Sequence, residues 1–403
     1  MKITLAKLMR IFGNIKGIYA PPHTRKPRRS LAGAFAVLAT LLFPGAVTPR
    51  QEPDDLSRPI YAKWQYKTDG ITNLTPAIDG EKVYIPLDKG AILGVWLSDG
   101  GLAWKSDIGG SISASPVADL RNVYVASESL PSPNSAYPQA TGVLRALSRQ
   151  SGLTTWMRML PFPLRGTINL NQDSLFASSS DGRLYAFKRE TGEIKWIKYN
   201  SSPFSPRHVL SGHELYIGDA QGDVTALELE AGRTIWRYRT RRQLRAPVAI
   251  FGNMVYAGTA DGYVYGIDRV TGRLRWRART GAAVQAVLAE GRCILATSLD
   301  NFVYCLSPQR GAKLWKRQLA GRVAAPPLIL NDSVLLAPLA GDECVILSLE
   351  DGKKTNSIYV GEDNNTEAAP LFMADTLLIT TREGLLAFSN RASKEKEGAA
   401  SQP

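Results

Sequence analysis

The stretch RVTGRLRWRART, residues 269–280, places Trp276 four positions after Gly272 and an arginine at every second position from Arg273 to Arg279. The glycine–tryptophan spacing recurs. SDGGLAW ends at Trp104, QSGLTTW at Trp156, ETGEIKW at Trp196, EAGRTIW at Trp236 and QRGAKLW at Trp315. From Trp156 to Trp196, Trp236 and Trp276 the step is 40 residues each time, then 39 to Trp315; a degenerate copy, EDGKKTN, has Asn356 in the tryptophan's place. Self-similarity at a period near 40 marks a repeat architecture whose units bury their apolar faces against one another.

Each unit reads as strands. Between Leu244 and Thr280 lie APVAIF, MVYAGTA, YVYGID and LRWRART, short runs rich in β-branched and aromatic residues and bounded by turn chemistry. Asp261-Gly262, Asp181-Gly182 and Gln221-Gly222 are expected to form two-residue hairpins with both residues at positive φ. No window carries a helical stripe. Four antiparallel strands repeated every 40 residues define an all-β propeller, one unit per blade.

Repeat bodies begin near Thr72, Ser111, Arg165, Ser205, Arg245, Ala282, Arg322 and Thr366, so eight blades are expected over residues 60–390. The last body stops after its third strand, whereas IYAKWQYKT, with Trp64, has no body before it. Pairing these two pieces would close the ring and cover a sheet edge. The tryptophans Trp64, Trp104, Trp156, Trp196, Trp236, Trp276 and Trp315 are expected on outermost strands, docking adjacent blades rather than serving catalysis.

The units Ala186…Gly192…Trp196, Ala226…Gly232…Trp236 and Gly266…Gly272…Trp276 resemble the tryptophan-docking repeat of pyrroloquinoline quinone (PQQ)-type propellers. Within that superfamily the chain is most similar to BamB-type outer membrane protein assembly factors, with the quinoprotein dehydrogenases as the second branch. The first resemblance implies a non-catalytic scaffold that binds a BamA-like subunit; the second implies a PQQ-dependent redox protein.

The formal charge of +13 is concentrated at one end. Residues 1–50 hold nine Lys/Arg and no acid, leaving 40 basic and 36 acidic residues beyond, a net +4, which argues against a nucleic-acid partner. TRKPRRSLAGAFAVLATLLFPGAV has a basic segment followed by an apolar run, the layout of an export signal that is either cleaved or kept as an anchor. RRSLAG leaves the export route open between a general and a twin-arginine signal. No cysteine follows to accept a lipid. The propeller is therefore expected on the periplasmic side, as a monomer, with a polar tail over 391–403 that should be disordered. A two-residue turn at Asp300-Asn301 would set Cys305 opposite Ala296 and put Cys293 on the other face, so no disulfide is expected.

Catalytic signals are sparse. The three histidines, His23, His208 and His213, have no carboxylate or nucleophile at a recognisable spacing, and no haem-attachment motif occurs. Quinoprotein dehydrogenases bring adjacent cysteines, calcium ligands and long insertions, none of which is seen. No catalytic residue, metal or resident cofactor is expected, with PQQ as the alternative.

Binding signals are stronger. In a four-stranded meander the second turn and the crossover to the next blade lie on one face. SESLPSPNSAYPQATG lengthens the second blade there, and the next crossover, MLPFPLRGTI, puts Phe162 and Leu164 in a segment expected to be exposed. The BamB resemblance implies that Phe162, Leu164, Arg165 and Gly166 fall on that family's partner-contacting segment. Arg273, Arg275, Arg277 and Arg279 alternate with Leu274, Trp276 and Ala278, and with Arg237 and Arg239 should form a positive rim for an acidic partner or membrane surface.

Overall fold

The structure is a computed structural model describing residues 55–68, 70, 72–129, 141–205, 207–244 and 246–391. The export segment, most of the long second-blade loop, Arg245 and residues 392–403 lie outside these. The described residues form eight four-stranded antiparallel units. The third, for example, runs Leu164–Leu170, Ser174–Ser179, Arg183–Lys188 and Ile194–Tyr199, inner strand to outer. The inner strands of units two and three also join through a short parallel ladder, Gly166 to Ala114 and Thr167 to Ser115.

Eight apolar clusters hold the units, and each cluster is shared by two consecutive ones. The cluster containing Val83, Val95, Leu378 and Ala387 joins the first unit to the last, which closes the ring. The strand Tyr61–Lys67 pairs antiparallel with Gly384–Ser389 and supplies the last unit's outer strand. The first and last described strands are thereby tied together without a covalent link.

Every outer strand from unit one to unit seven carries a β-bulge one residue before the tryptophan position, as between Gly266–Trp276 and Ile267–Leu274. A bulge adds local twist and re-aims the side chain. Each indole N–H then donates to a carbonyl in the next unit: Trp64 to Leu97 (2.9 Å), Trp104 to Arg149 (3.0 Å), Trp156 to Arg189 (3.2 Å), Trp196 to Leu229 (2.9 Å), Trp236 to Arg269 (2.8 Å), Trp276 to Pro308 (2.9 Å) and Trp315 to Leu349 (3.0 Å). The ring lies against the turn glycine beside that carbonyl. A Cβ at Gly272 would come within 2.7 Å of Trp236, and one at Gly311 within 2.3 Å of Trp276.

In three places the next unit reaches back. Arg149 binds Asp79, Arg189 lies 3.5 Å from Asp119, and Arg269 lies 3.0 Å from Glu214. The same acids accept from the hydroxyls of Tyr84, Tyr124 and Tyr216, whose rings pack on Trp104, Trp156 and Trp236. Tryptophan and arginine thus lock these unit pairs from both sides.

The turn expectations are corrected: in the Asp181-Gly182, Gln221-Gly222 and Asp261-Gly262 turns only the glycine has positive φ. At residues 259–263 the hairpin loop has three residues, Ala260, Asp261 and Gly262, and only Gly262 has positive φ (83°). A type I turn followed by one left-handed residue satisfies the same strand geometry. The loop Leu299-Asp300-Asn301 is likewise three residues long, with Asn301 at φ 64°. The extra residue moves the register by one, so Cys305 faces Leu295 and shares a face with Cys293. The two are disulfide-bonded, with Cα atoms 5.5 Å apart; the expectation of free thiols there is wrong. Cys344 is buried and free, and burial pushes its thiol up to about 12.

Candidate protein-binding face and central channel

The crossover after unit two begins where Leu160 leaves the outer strand and ends where Leu164 enters the inner strand of unit three. Its two apolar residues behave differently. Leu164 is 0% exposed and belongs to the core between units two and three, so the expectation that it is exposed is corrected: as the first residue of an inner strand it faces the neighbouring unit. Phe162 remains partly exposed.

Arg165 is not a free cation. Its guanidinium donates to Glu128 at 2.6 Å, tying the crossover to the end of the second strand of unit two, at the base of the long loop. Gly166, at φ 81°, turns the chain into the parallel ladder with Ala114. Gly142, just beyond the loop's other end, is pressed against the crossover backbone; a Cβ there would lie 2.4 Å from the Phe162 carbonyl oxygen. Both ends of the loop therefore rest on the crossover.

The structure adds two residues that sequence reading passed over. The Arg183 guanidinium stacks between the rings of Phe162 (5.5 Å) and Tyr199 (5.4 Å) and is paired with Asp181 at 3.1 Å. A hydrogen bond with Tyr185 and the charge of Asp181 hold its pKa above the ordinary guanidinium value. Tyr199 is 65% exposed, and Met157 and Met159 are also exposed on the preceding unit's outer strand. The face thus offers aromatic surface around one oriented arginine, a composition enriched at protein interfaces. Arg183 directly follows the Asp181-Gly182 turn, and that position is the signal that could have found it.

The arginine rim is largely neutralised. Arg237 and Arg239 both pair with Asp223, at 3.6 and 2.8 Å, and Arg275 pairs with Asp268 at 2.7 Å. Arg275 and a local hydrogen bond from Thr271 hold the Asp268 carboxyl far below the usual carboxylate range. Arg277 and Arg279 stack on Tyr263, and Arg273 has no ion-pair partner among the described residues. The expected alternation of Arg273 to Arg279 on one face fails because the bulge at Arg275 interrupts it.

The inner strands of units three to seven enclose a cavity of about 380 Å³ with mostly apolar walls, including Val209, Ile250, Val287 and Ile329. Arg207 lines it, as do Asn169 and Glu290. Among the described residues no group of three His, Cys, Asp or Glu side chains could hold a metal ion. One guanidinium on apolar walls is a poor fit for PQQ, whose three carboxylates call for several cations. His208, beside Arg207, is 3% exposed, and burial pulls its pKa down to about 4.

A closed ring of tryptophan-docked four-stranded units, with a stacked aromatic–arginine cluster on one face, defines a PQQ-like propeller. The model of the family described as outer membrane protein assembly factor BamB matches residues 61–198, 98–245 and 220–402, and the chain belongs to that family. No curated protein matches the sequence. Among solved structures, BamB from Moraxella catarrhalis superposes with a TM-score of 0.69 at 15% identity, covering 82% of this chain and 99% of that one. The computationally designed Ika8 protein gives 0.69 at 13% identity, covering 81% and 99%. Quinohemoprotein alcohol dehydrogenase from Comamonas testosteroni gives 0.66 at 11% identity, covering 83% and 77%. At these identities the likeness is one of fold.

Proposed function

We propose that this chain is a non-catalytic, periplasmic protein-binding scaffold that serves outer-membrane protein assembly through the crossover face. The observation that carries the reading is the Phe162–Arg183–Tyr199 stack beside the Arg165–Glu128 pair. A few rigid aromatic and arginine anchors, already oriented in the free protein, account for most binding energy in typical interfaces. Membership of the BamB family supports a BamA-like subunit as the partner. The Cys293–Cys305 disulfide agrees with an oxidising compartment, as does the export signal read in the sequence. The redox alternative has less support, because Arg207 is the one cationic side chain among the described residues lining the cavity, where the three carboxylates of PQQ call for several.

The test is co-purification from detergent-solubilised envelopes with the barrel-assembly subunit. A Phe162→Ala, Arg183→Ala, Tyr199→Ala variant should fold, since none of the three lies in an inter-unit core, and should lose the partner. Retention of the partner by the folded variant would place the interface elsewhere. A saturable PQQ-dependent dehydrogenase activity would replace the scaffold reading altogether.

A further inference from the structure

The central channel contains a charge that neither the fold nor the crossover face uses. Arg207 stands just before the inner strand Val209–Ser211 of unit four, and Glu367 just before the inner strand Leu371–Met373 of unit eight. In a ring of eight these units are diametrically opposed, and Arg207 lines the central cavity. The two charges form no ion pair: among the described residues Arg207 has no carboxylate within 4 Å and no hydrogen-bond acceptor. Arg207 is half-buried; burial pulls its pKa below the usual guanidinium value, with the Glu367 charge acting the other way. A guanidinium with no partner among the described residues keeps its donors available to an anion in the cavity it lines. The adjoining cavity, about 380 Å³, is within the range of small-molecule sites, and its walls are mainly Val, Ile, Leu, Ala and Pro. Glu290, at the other end of an inner strand, also lines the cavity, and burial raises its pKa.

We propose that the channel is a binding site for a small carboxylate with an apolar body, the carboxylate accepting hydrogen bonds from the Arg207 guanidinium and the body lying against Val209, Ile250, Val287 and Ile329. Arg207 is the specificity determinant, and the planar fork of donors suits a two-oxygen anion. The Glu367 charge favours the charged form of Arg207 and so competes with a bound anion. The proposal does not rest on the scaffold reading, because the ligand and the protein partner occupy different surfaces.

Calorimetric titration of the full chain with hexanoate, acetate and hexylammonium tests it. Hexanoate should bind saturably and more tightly than acetate, and hexylammonium should not bind. Arg207→Gln should weaken hexanoate at least about tenfold, the loss expected for one charge-assisted contact. Glu367→Gln should tighten it, and because this residue is exposed the variant keeps the test valid if Arg207→Gln folds poorly. Absence of saturable hexanoate binding, equal binding of acetate, or undiminished binding to Arg207→Gln would each overturn the proposal.

Discussion

The indole N–H of Trp64 donates to the carbonyl of Leu97 at 2.9 Å, so the strand nearest the N-terminus completes the last unit and also docks onto the first. One residue therefore carries both closures of the ring. Asn356 occupies the matching position in unit seven, and its side-chain amide donates to Leu56 (3.1 Å) and Arg58 (2.7 Å). Where a tryptophan would cover a turn in the last unit, residues 56–58 lie instead. A short amide fits where there is no turn glycine for a ring to pack on.

Removing residues 55–67 should leave the strand Gly384–Ser389 as an unpaired edge and expose the cluster around Leu385 and Ala387. Light scattering after size-exclusion chromatography should show aggregation. A monodisperse truncated protein with unchanged melting would show that the closure contributes nothing.

Trp276 is 8% exposed, and replacing it with Ala should cost about 3–5 kcal/mol in chemical denaturation, the range for a buried aromatic. Gly311→Ala, at the glycine the ring covers, should cost more than about 1 kcal/mol. Its φ is 67° and its new Cβ would meet the ring. Asn356→Ala should be milder, about 1–2 kcal/mol, for the lost hydrogen bonds.

His208 predicts a pH dependence. Its folded pKa is about 4 because burial disfavours the charged ring, against an ordinary value of 6.5. Between these values the unfolded chain binds a proton that the folded chain refuses, so stability should fall as pH drops from about 6.5 towards 4. The steepest loss is about 1.4 kcal/mol per pH unit. His208→Asn should flatten that part of the profile relative to wild type. Parallel profiles would show that the histidine takes up its proton without unfolding.

The repeat, the strand type and the closing strand were legible because period 40 and the Gly-x(3)-Trp spacing are one-dimensional signals. Register was not. A three-residue loop at 299–301 in place of two reverses the faces of Cys293 and Cys305, and nothing in Asp300-Asn301 distinguishes the two loop lengths. The same limit affected the arginine strand, where the bulge at Arg275 broke the alternation. Asp223 neutralises Arg237 and Arg239 from the adjacent strand, a pairing that the spacing of the arginines does not reveal. Leu164 was misjudged because a crossover's boundary decides exposure: one residue into the strand is core. Arg183 and Tyr199 come together with Phe162 only through strand pairing, and sequence distance hides that contact.

The most direct test of the scaffold reading is site-specific photo-crosslinking in living cells, with the photoreactive residue at position 162 and, as control, at 273 on the arginine rim. The account predicts an adduct with the barrel-assembly subunit from position 162, lost when Arg183 and Tyr199 are changed to Ala, and no such adduct from position 273. An adduct from 273 alone would contradict the assignment of the crossover face as the partner surface.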